Sequence, residues 1–584
     1  MANEKSKAEQ YRDERKARIA KAAKKNAHNM EKNTAAKKIV GKVISIIIIA
    51  ALVLTLGGWG LSYYGVPQRL IPIGKVGSNI SVSVAEYEFY YMRAYNNFVN
   101  QVQQYSQYGY DYGYDTSLAP QDQTKTTKDE DGNEITWEEY LDKQTVSMIQ
   151  MYRAYAQKAE EMGLKITEAD KKAIDDQLDQ LKEEAASAGG SSSNGANKAG
   201  YSLNAYLRKV YGGGVNKSFL RKQMEVQTLA QKYYTERSKE LKKTYDQAEI
   251  DKVYAADKDS YDLADFRIYE FSGSDSAQTE DGTADTKAAA QAKADADNFI
   301  KAVTDEKSFI AQAKAAHDKD AAEGAEAYDA NTDTLKKGQL KNGDGSNDPG
   351  VTGTYSEDAA NWIFDGARKA GDKTVIGDDE SGRYFAIYMV TPKGQQNTVT
   401  VRHILFMTKN QETGEDLSAE EKANKKQAAE DALKQWQDGE KTAESFGEIA
   451  NNLTEDTGSA SNGGLYENVR QGTMVAAFND WCFDAARKPG DTGIVETEYG
   501  YHVMYFEGNG GKYYDSAIRT TKATEDFEKE SEEILKGDEY VVGLGPNRLA
   551  YAKNQVLKKI KGLVELSNAN SKASSASAAS NYSY

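Results

Sequence analysis

Between Val43 and Tyr64 the chain runs for 22 residues, VISIIIIAALVLTLGGWGLSYY, without a charge, and no other feature limits its architecture so sharply. A helix rises about 1.5 Å per residue and a bilayer's hydrocarbon core is about 30 Å thick, so about 20 apolar residues span it. Residues 1–42 carry 13 Lys and Arg against 5 Asp and Glu. Basic flanks stay on the cytoplasmic side, which predicts a cytoplasmic N-terminus and an extracytoplasmic remainder. Trp59, Tyr63 and Tyr64 stand where an interfacial aromatic belt is expected. A cleaved signal peptide would need a small-x-small site, and the following GVPQRLIPIG has none. The segment reads as a retained, single-pass cell-membrane anchor.

The rest of the chain is acidic. With 74 Lys and Arg against 90 Asp and Glu the net charge is −16, which argues against a nucleic-acid partner, because phosphate contacts need a basic face. Cys482 is the single cysteine, so neither an intramolecular disulfide nor a Cys₂ or Cys₄ metal site is available. Within FNDWCFDAA it reads as a small core hydrophobe.

A length of 584 residues calls for several domains. Residues 1–38 read as a solvated or membrane-surface helix and 66–78 as a linker in which Pro67 and Pro72 discourage helix. Residues 79–255 carry helical patterns, with Thr167 and Asp170 as a predicted helix start. Two insertions interrupt them: the Tyr/Gly run 105–115, expected to be a disordered loop or a sticky site for client chains, and the Gly/Ser loop 187–200.

From about 256 the pattern becomes strand–helix–strand and repeats. NWIFDGARKAGD (361–372) matches DWCFDAARKPGD (480–491), with Trp362/Trp481, Phe364/Phe483, Asp365/Asp484, Arg368/Arg487 and Gly371/Gly490 in register. Each copy has a strand-like run upstream and another after it, which predicts two homologous α/β domains, 256–395 and 397–510. The expected fold class is therefore α+β: one transmembrane helix, a helical lobe, two tandem α/β domains, helices over 511–566 returning to the lobe, and a disordered Ser/Ala tail over 567–584.

His403 and His502 lie inside apolar strands of the second domain. A buried imidazole costs free energy unless its polar atoms are paired. Two such rings are either satisfied core residues or the members of a working pair.

VRHILF, FGEIANNLTEDTGSASNGG, RQGTMVAAF and TEYGYHVMYF, in that order, resemble the parvulin (rotamase) family of peptidyl-prolyl isomerases over residues 397–510. The resemblance implies a catalytic group of His403, His502 and Asp456. It implies a proline socket from Met474, Phe478 and Tyr466, with Thr497 buttressing the histidines. It implies no covalent intermediate, metal or nucleotide cofactor, and as partners unfolded secreted chains containing X–Pro bonds. Tyr466 departs from the family's usual leucine. Glu412, Glu415 and Asp416 stand where phosphate-directed members carry basic residues, so a phosphorylated substrate is disfavoured.

In the first copy Ile268 aligns with His403, and Tyr384 or a neighbour with His502, so that domain is expected to be inactive, as a spacer or a binding surface. The helical flanks, VGSNISVSVAEYEFYY and KAEEMGLKITEADKKAIDDQL, are similar to the peptide-binding lobe of SurA/PrsA-type foldases. Two other functions stay open: a binding module without turnover, and a scaffold docked through the basic tail.

Overall fold

The computed structural model describes Arg69 and residues 72–580 apart from 78–79, 108, 130, 189–199, 274–285, 321–327, 344–347, 379–380, 411–412 and 541. The expected tail (1–42) and membrane anchor (43–64) lie outside the described residues, as does most of the 187–200 loop. Among the described residues no helix is long and apolar enough to cross a membrane. The chain divides into two compact units, one of residues up to Lys243 together with those from Lys522 onward, the other Thr244–Thr521.

In the first unit the helix Val84–Ser106 starts at Ser83, whose hydroxyl accepts from the Glu86 amide at 3.2 Å. Tyr87, Phe89, Tyr90 and Tyr91 are all buried, so the first turns of this helix are enclosed on every side, while its last turns are largely exposed. Reciprocal capping boxes start Trp137–Glu161 (Thr136 with Glu139) and Glu168–Ser187 (Thr167 with Asp170). Residues near the C-terminus complete the core: Phe527 lies 5.6 Å from the Tyr155 ring, and the Tyr155 and Ser531 hydroxyls meet at 2.5 Å.

Three expectations are corrected here. Part of the 66–78 linker is a strand, Pro72–Val76, pairing antiparallel with both Ile80–Ser83 and Val542–Leu544; proline is tolerated because it opens the strand. The Tyr/Gly run is anchored at Tyr114, which is buried edge-on to Phe98 and Trp137 at 4.9 and 5.3 Å. The Ser/Ala tail continues the helix Pro546–Ser580: no Gly or Pro follows Gly562 within it, and Asn568 donates to the Ser117 carbonyl at 2.8 Å. Residues 581–584 lie outside the described residues.

The second unit holds two four-stranded antiparallel sheets of one topology. In the first the strands run Leu335–Leu340, Leu263–Ser272, Arg383–Gly394, Lys373–Asp378 across the sheet; in the second, Leu465–Val469, Asn397–Met407, Gly500–Lys512, Thr492–Thr497. Both sheets place the second strand in sequence at one edge, then the first, the fourth and the third.

The repeated dodecapeptide is a structural turn in both. Arg368 lies over the Trp362 ring at 5.0 Å and Arg487 over Trp481 at 4.0 Å. Asp365 and Asp484 each accept the amide two residues on at 2.9 Å. Gly371 (φ 90°) and Gly490 (φ 91°) sit where L-residues are strained, and their amides bond the Met389 and Phe506 carbonyls of the long strand.

Alternation sorts the second sheet's faces. Ile404, Phe406, Val503 and Tyr505 pack beneath the helices Ala419–Asp438 and Ala443–Leu453. Val399, Val401, Met504 and Phe506 face the other way, against Phe478 and Cys482. Cys482 is 1% exposed and burial pushes its thiol up to about 12, as suits an inert core residue.

Candidate functional site

The period of two places His403 after Val399 and Val401, and His502 before Met504 and Phe506, on one face of the sheet. His403 pairs with Met504 and His502 with Leu405, so the two imidazoles are diagonal neighbours on adjacent strands. They are 3% and 5% exposed, their rings are 5.3 Å apart at 19°, and their Nδ1 atoms meet at 3.1 Å.

The flanking partners orient the two rings. His403 Nε2 lies 2.8 Å from Asp456 Oδ2, and an ionised carboxylate only accepts, so Nε2 carries the hydrogen. The two Nδ1 atoms share one hydrogen bond at 3.1 Å. His502 Nε2 meets the Thr497 hydroxyl at 2.8 Å, while Thr497 Oγ1 accepts the Tyr499 amide at 3.2 Å. The result is a continuous chain of Thr497, His502, His403 and Asp456 in which each buried ring nitrogen has a partner.

Asp456 sits at the head of the loop after Ala443–Leu453. Burial would raise its carboxyl, but hydrogen bonds from His403 and Ser459, the charge interaction with His403 and the Gly458 amide at 3.0 Å outweigh that and hold it well below the usual carboxylate range. Its Oδ2 also accepts from Ser459 at 2.5 Å and Tyr466 at 3.0 Å. His502 moves the same way: burial first, then neighbouring His403, push it down to about 3, so its neutral form persists throughout the physiological range. Burial and the Asp456 charge push the Tyr466 phenol up, so it stays a donor.

Phe478 forms the floor. Its ring stands edge-on to both imidazoles, 5.5 Å from His403 and 5.4 Å from His502, each at 83°. Tyr466 is 5.2 Å from His403, and Met474 and Tyr466, both partly buried, pack on the cluster that contains Phe478. The structure thus gathers all seven residues named from the sequence at one place. Sequence reasoning missed Ser459, fully buried and bonded to both Asp456 and His403; its signal, a serine three residues after the aspartate, was hidden in a Ser/Gly loop.

In the first sheet Ile268 pairs with Ile387 as His403 pairs with Met504, and this register puts Phe385 in the place of His502. Continuing the dodecapeptide alignment upstream, Ala359 replaces Phe478 and Tyr355 replaces Met474. The Tyr355 ring lies 5.5 Å from Phe385 and 6.2 Å from Phe266, filling the space a proline ring would need.

A buried, carboxylate-anchored imidazole pair above an aromatic floor on a four-stranded sheet is the constellation of the parvulin class. Residues 385–508 match the family model described as PPIC-type PPIASE domain. The chain carries a parvulin-type peptidyl-prolyl isomerase domain.

Among solved structures, it is similar to the peptidylprolyl isomerase PrsA of Bacillus anthracis, at 19% identity over 24% of this chain and 58% of that one, with a TM-score of 0.16. A SurA-like chaperone of Campylobacter jejuni matches at 23% identity over 24% and 53%, TM-score 0.16. PrsA of Bacillus subtilis matches at 23% over 28% and 49%, TM-score 0.16. The matched region therefore spans about half the length of these three structures. No curated protein matches the chain.

Proposed function

We propose that this protein is an extracytoplasmic foldase that catalyses cis/trans isomerisation of X–Pro bonds in unfolded secreted chains. One observation carries the reading: the 3.1 Å contact of two buried imidazoles, locked by Thr497 and Asp456, directly against the Phe478 ring.

The X–Pro barrier of about 18–20 kcal/mol comes from amide resonance, which the twisted transition state loses. Met474, Phe478 and Tyr466 grip the proline ring, and the desolvated space above the histidines favours the less polar twisted amide over the planar one. Asp456 holds the histidine chain in one tautomeric arrangement and biases the field at the carbonyl. Lowering the barrier by ~4–6 kcal/mol gives an acceleration of roughly 10³–10⁴.

Residues 256–395 act as a degenerate parvulin-like domain, on the strength of the shared strand order and the apolar Ile268, Phe385 and Ala359. The first unit serves as the lobe that holds client chains. The uncharged 43–64 segment and the basic residues before it support anchoring in the cell membrane with the bulk outside, where clients emerging unfolded meet a tethered enzyme.

A protease-coupled assay on the full chain with a proline tetrapeptide tests the activity, and a rate equal to the uncatalysed one sinks it. Protease added to intact cells tests the topology, since an inward-facing bulk would survive uncut.

A further inference from the structure

Arg470 follows the edge strand Leu465–Val469 and opens the short loop that ends at Met474. It is 5% exposed, yet among the described residues its guanidinium pairs with no carboxylate of its own domain. It reaches into the first domain, donating to the Gly338 carbonyl and pairing with Asp348 at 2.5 Å, and lies 5.6 Å over the Tyr513 ring. A buried charge so placed is strongly unfavourable without these partners.

Two glycines make the contact close. Gly338 (φ 56°), inside the strand Leu335–Leu340, and Gly472 (φ 83°), in the loop after Leu465–Val469, meet closely: a Cβ on Gly338 would overlap the Gln471 carbonyl, and one on Gly472 the Lys337 carbonyl. Lys337 adds an ion pair to Asp480 at 3.0 Å. The strand that carries Gly338 and the strand that leads into the Gly472 loop occupy the same edge position in their respective sheets.

Within the loop, the Arg470 carbonyl accepts from the Thr473 hydroxyl at 2.8 Å, and the buried Asn479 side chain accepts the Gly472 amide at 2.6 Å. Met474 comes next, and Asn479 is the neighbour of Phe478. Fixing Arg470 therefore fixes both ends of the proline socket.

We propose that the first domain is an intramolecular clamp on the socket loop, and that Arg470 is a positioning residue for proline recognition through Met474. This rests on the isomerase reading, so its test includes a readout independent of turnover. In full-length protein carrying ¹³C-methyl methionine, the Met474 resonance is assigned with Met474→Leu and followed in Asp348→Asn and Gly338→Ala. Both substitutions lie in the first domain, outside the socket and the histidine chain.

The expected result is a shifted and broadened Met474 methyl in both variants, with the far-UV spectrum unchanged. The tetrapeptide kcat/KM falls about 5- to 20-fold, mostly through KM, because the socket binds the proline in ground and transition state alike. Arg470→Lys restores part of the loss seen in Arg470→Ala, and adding Asp348→Asn to Arg470→Ala costs nothing more. A wild-type Met474 resonance in folded Asp348→Asn and Gly338→Ala overturns the clamp. If wild type turns over no peptide, the isomerase reading falls while the methyl signal still decides the clamp.

Discussion

In the first sheet Ile268 and Phe385 stand where His403 and His502 stand in the second, and Tyr355 closes the space that Met474 leaves open. Elsewhere the two domains agree down to single contacts: a tryptophan under an arginine, an aspartate accepting the amide two residues on, a glycine at φ near 90°. The retained positions build the turn that returns the chain to its long strand. The changed ones face a single small volume above the sheet. Scaffold and site are thus separable in this fold, and a site is lost by filling it with apolar side chains without disturbing the strand order.

That separability predicts the largest effect. Giving the second domain the first one's residues, His403→Ile with His502→Phe, replaces two polar rings by apolar groups of comparable bulk. Asp456 keeps its bonds from Ser459, Tyr466 and Gly458. The variant is expected to fold, with kcat/KM in the protease-coupled assay down about 10³-fold, which corresponds to ~4 kcal/mol of barrier. Retained turnover would mean that the histidines are passengers and that the two domains differ in nothing catalytic.

Acid should separate the domains next. His502 has a folded pKa of about 3, below its ordinary 6.5, so between these values the unfolded chain binds one more proton than the folded one. Its contribution is complete above about pH 6.5 and shrinks as the pH falls toward 3. Asp456, also held below its ordinary value, has the same sign, and its share is lost at still lower pH. The second domain is expected to lose a few kcal/mol of stability over that range, by the ~1.4 kcal/mol that each pKa unit represents. Denaturant midpoints from pH 7 to pH 3.5 check it, with the Ile/Phe variant as control. If its midpoints fall as steeply as those of wild type, His502 is not the source.

A smaller change sharpens the role of Tyr466, which the first domain replaces with Lys336 in the matching register. Tyr466→Phe keeps the ring and removes one of the donors to Asp456. A net hydrogen bond to a charged group is worth about 1.5–3 kcal/mol, and the remaining donors compensate in part. A loss of about 3- to 10-fold in kcat/KM is expected, together with a rise of the Asp456 pKa visible by ¹³C-carboxyl NMR. An unmoved Asp456 resonance would mean that the hydroxyl serves the substrate and not the carboxylate.

Much of this contrast was legible in the chain itself. A histidine inside VRHILF announces itself because an imidazole is costly among Val, Ile and Leu, and the dodecapeptide repeat exposes the duplication because turn geometry tolerates few residues. The rest escaped for physical reasons. Ser459 looks like any loop serine until the fold buries it. Arg470 has its carboxylate partner 122 positions away in the other domain, a distance no local pattern registers. Tyr114 belonged to a run whose composition suggests disorder, and only the rings of Phe98 and Trp137 supply the burial that orders it.

The smallest expected effect is also the most even. Gly371→Ala and Gly490→Ala each place a side chain at φ near 90°, where an L-residue is strained. The space around both is open: an added Cβ meets nothing within 4 Å at Gly490, and at Gly371 only the Tyr388 hydroxyl at 3.7 Å. Strain is then the whole cost, about 1–2 kcal/mol, and it should be alike in the two domains. Neither substitution touches the histidine chain, so kcat is expected to stay at the wild-type value while unfolding midpoints drop in parallel. A clear inequality between the two would show that one copy of the turn bears a load the other does not, and would move the difference between the domains from the site into the scaffold.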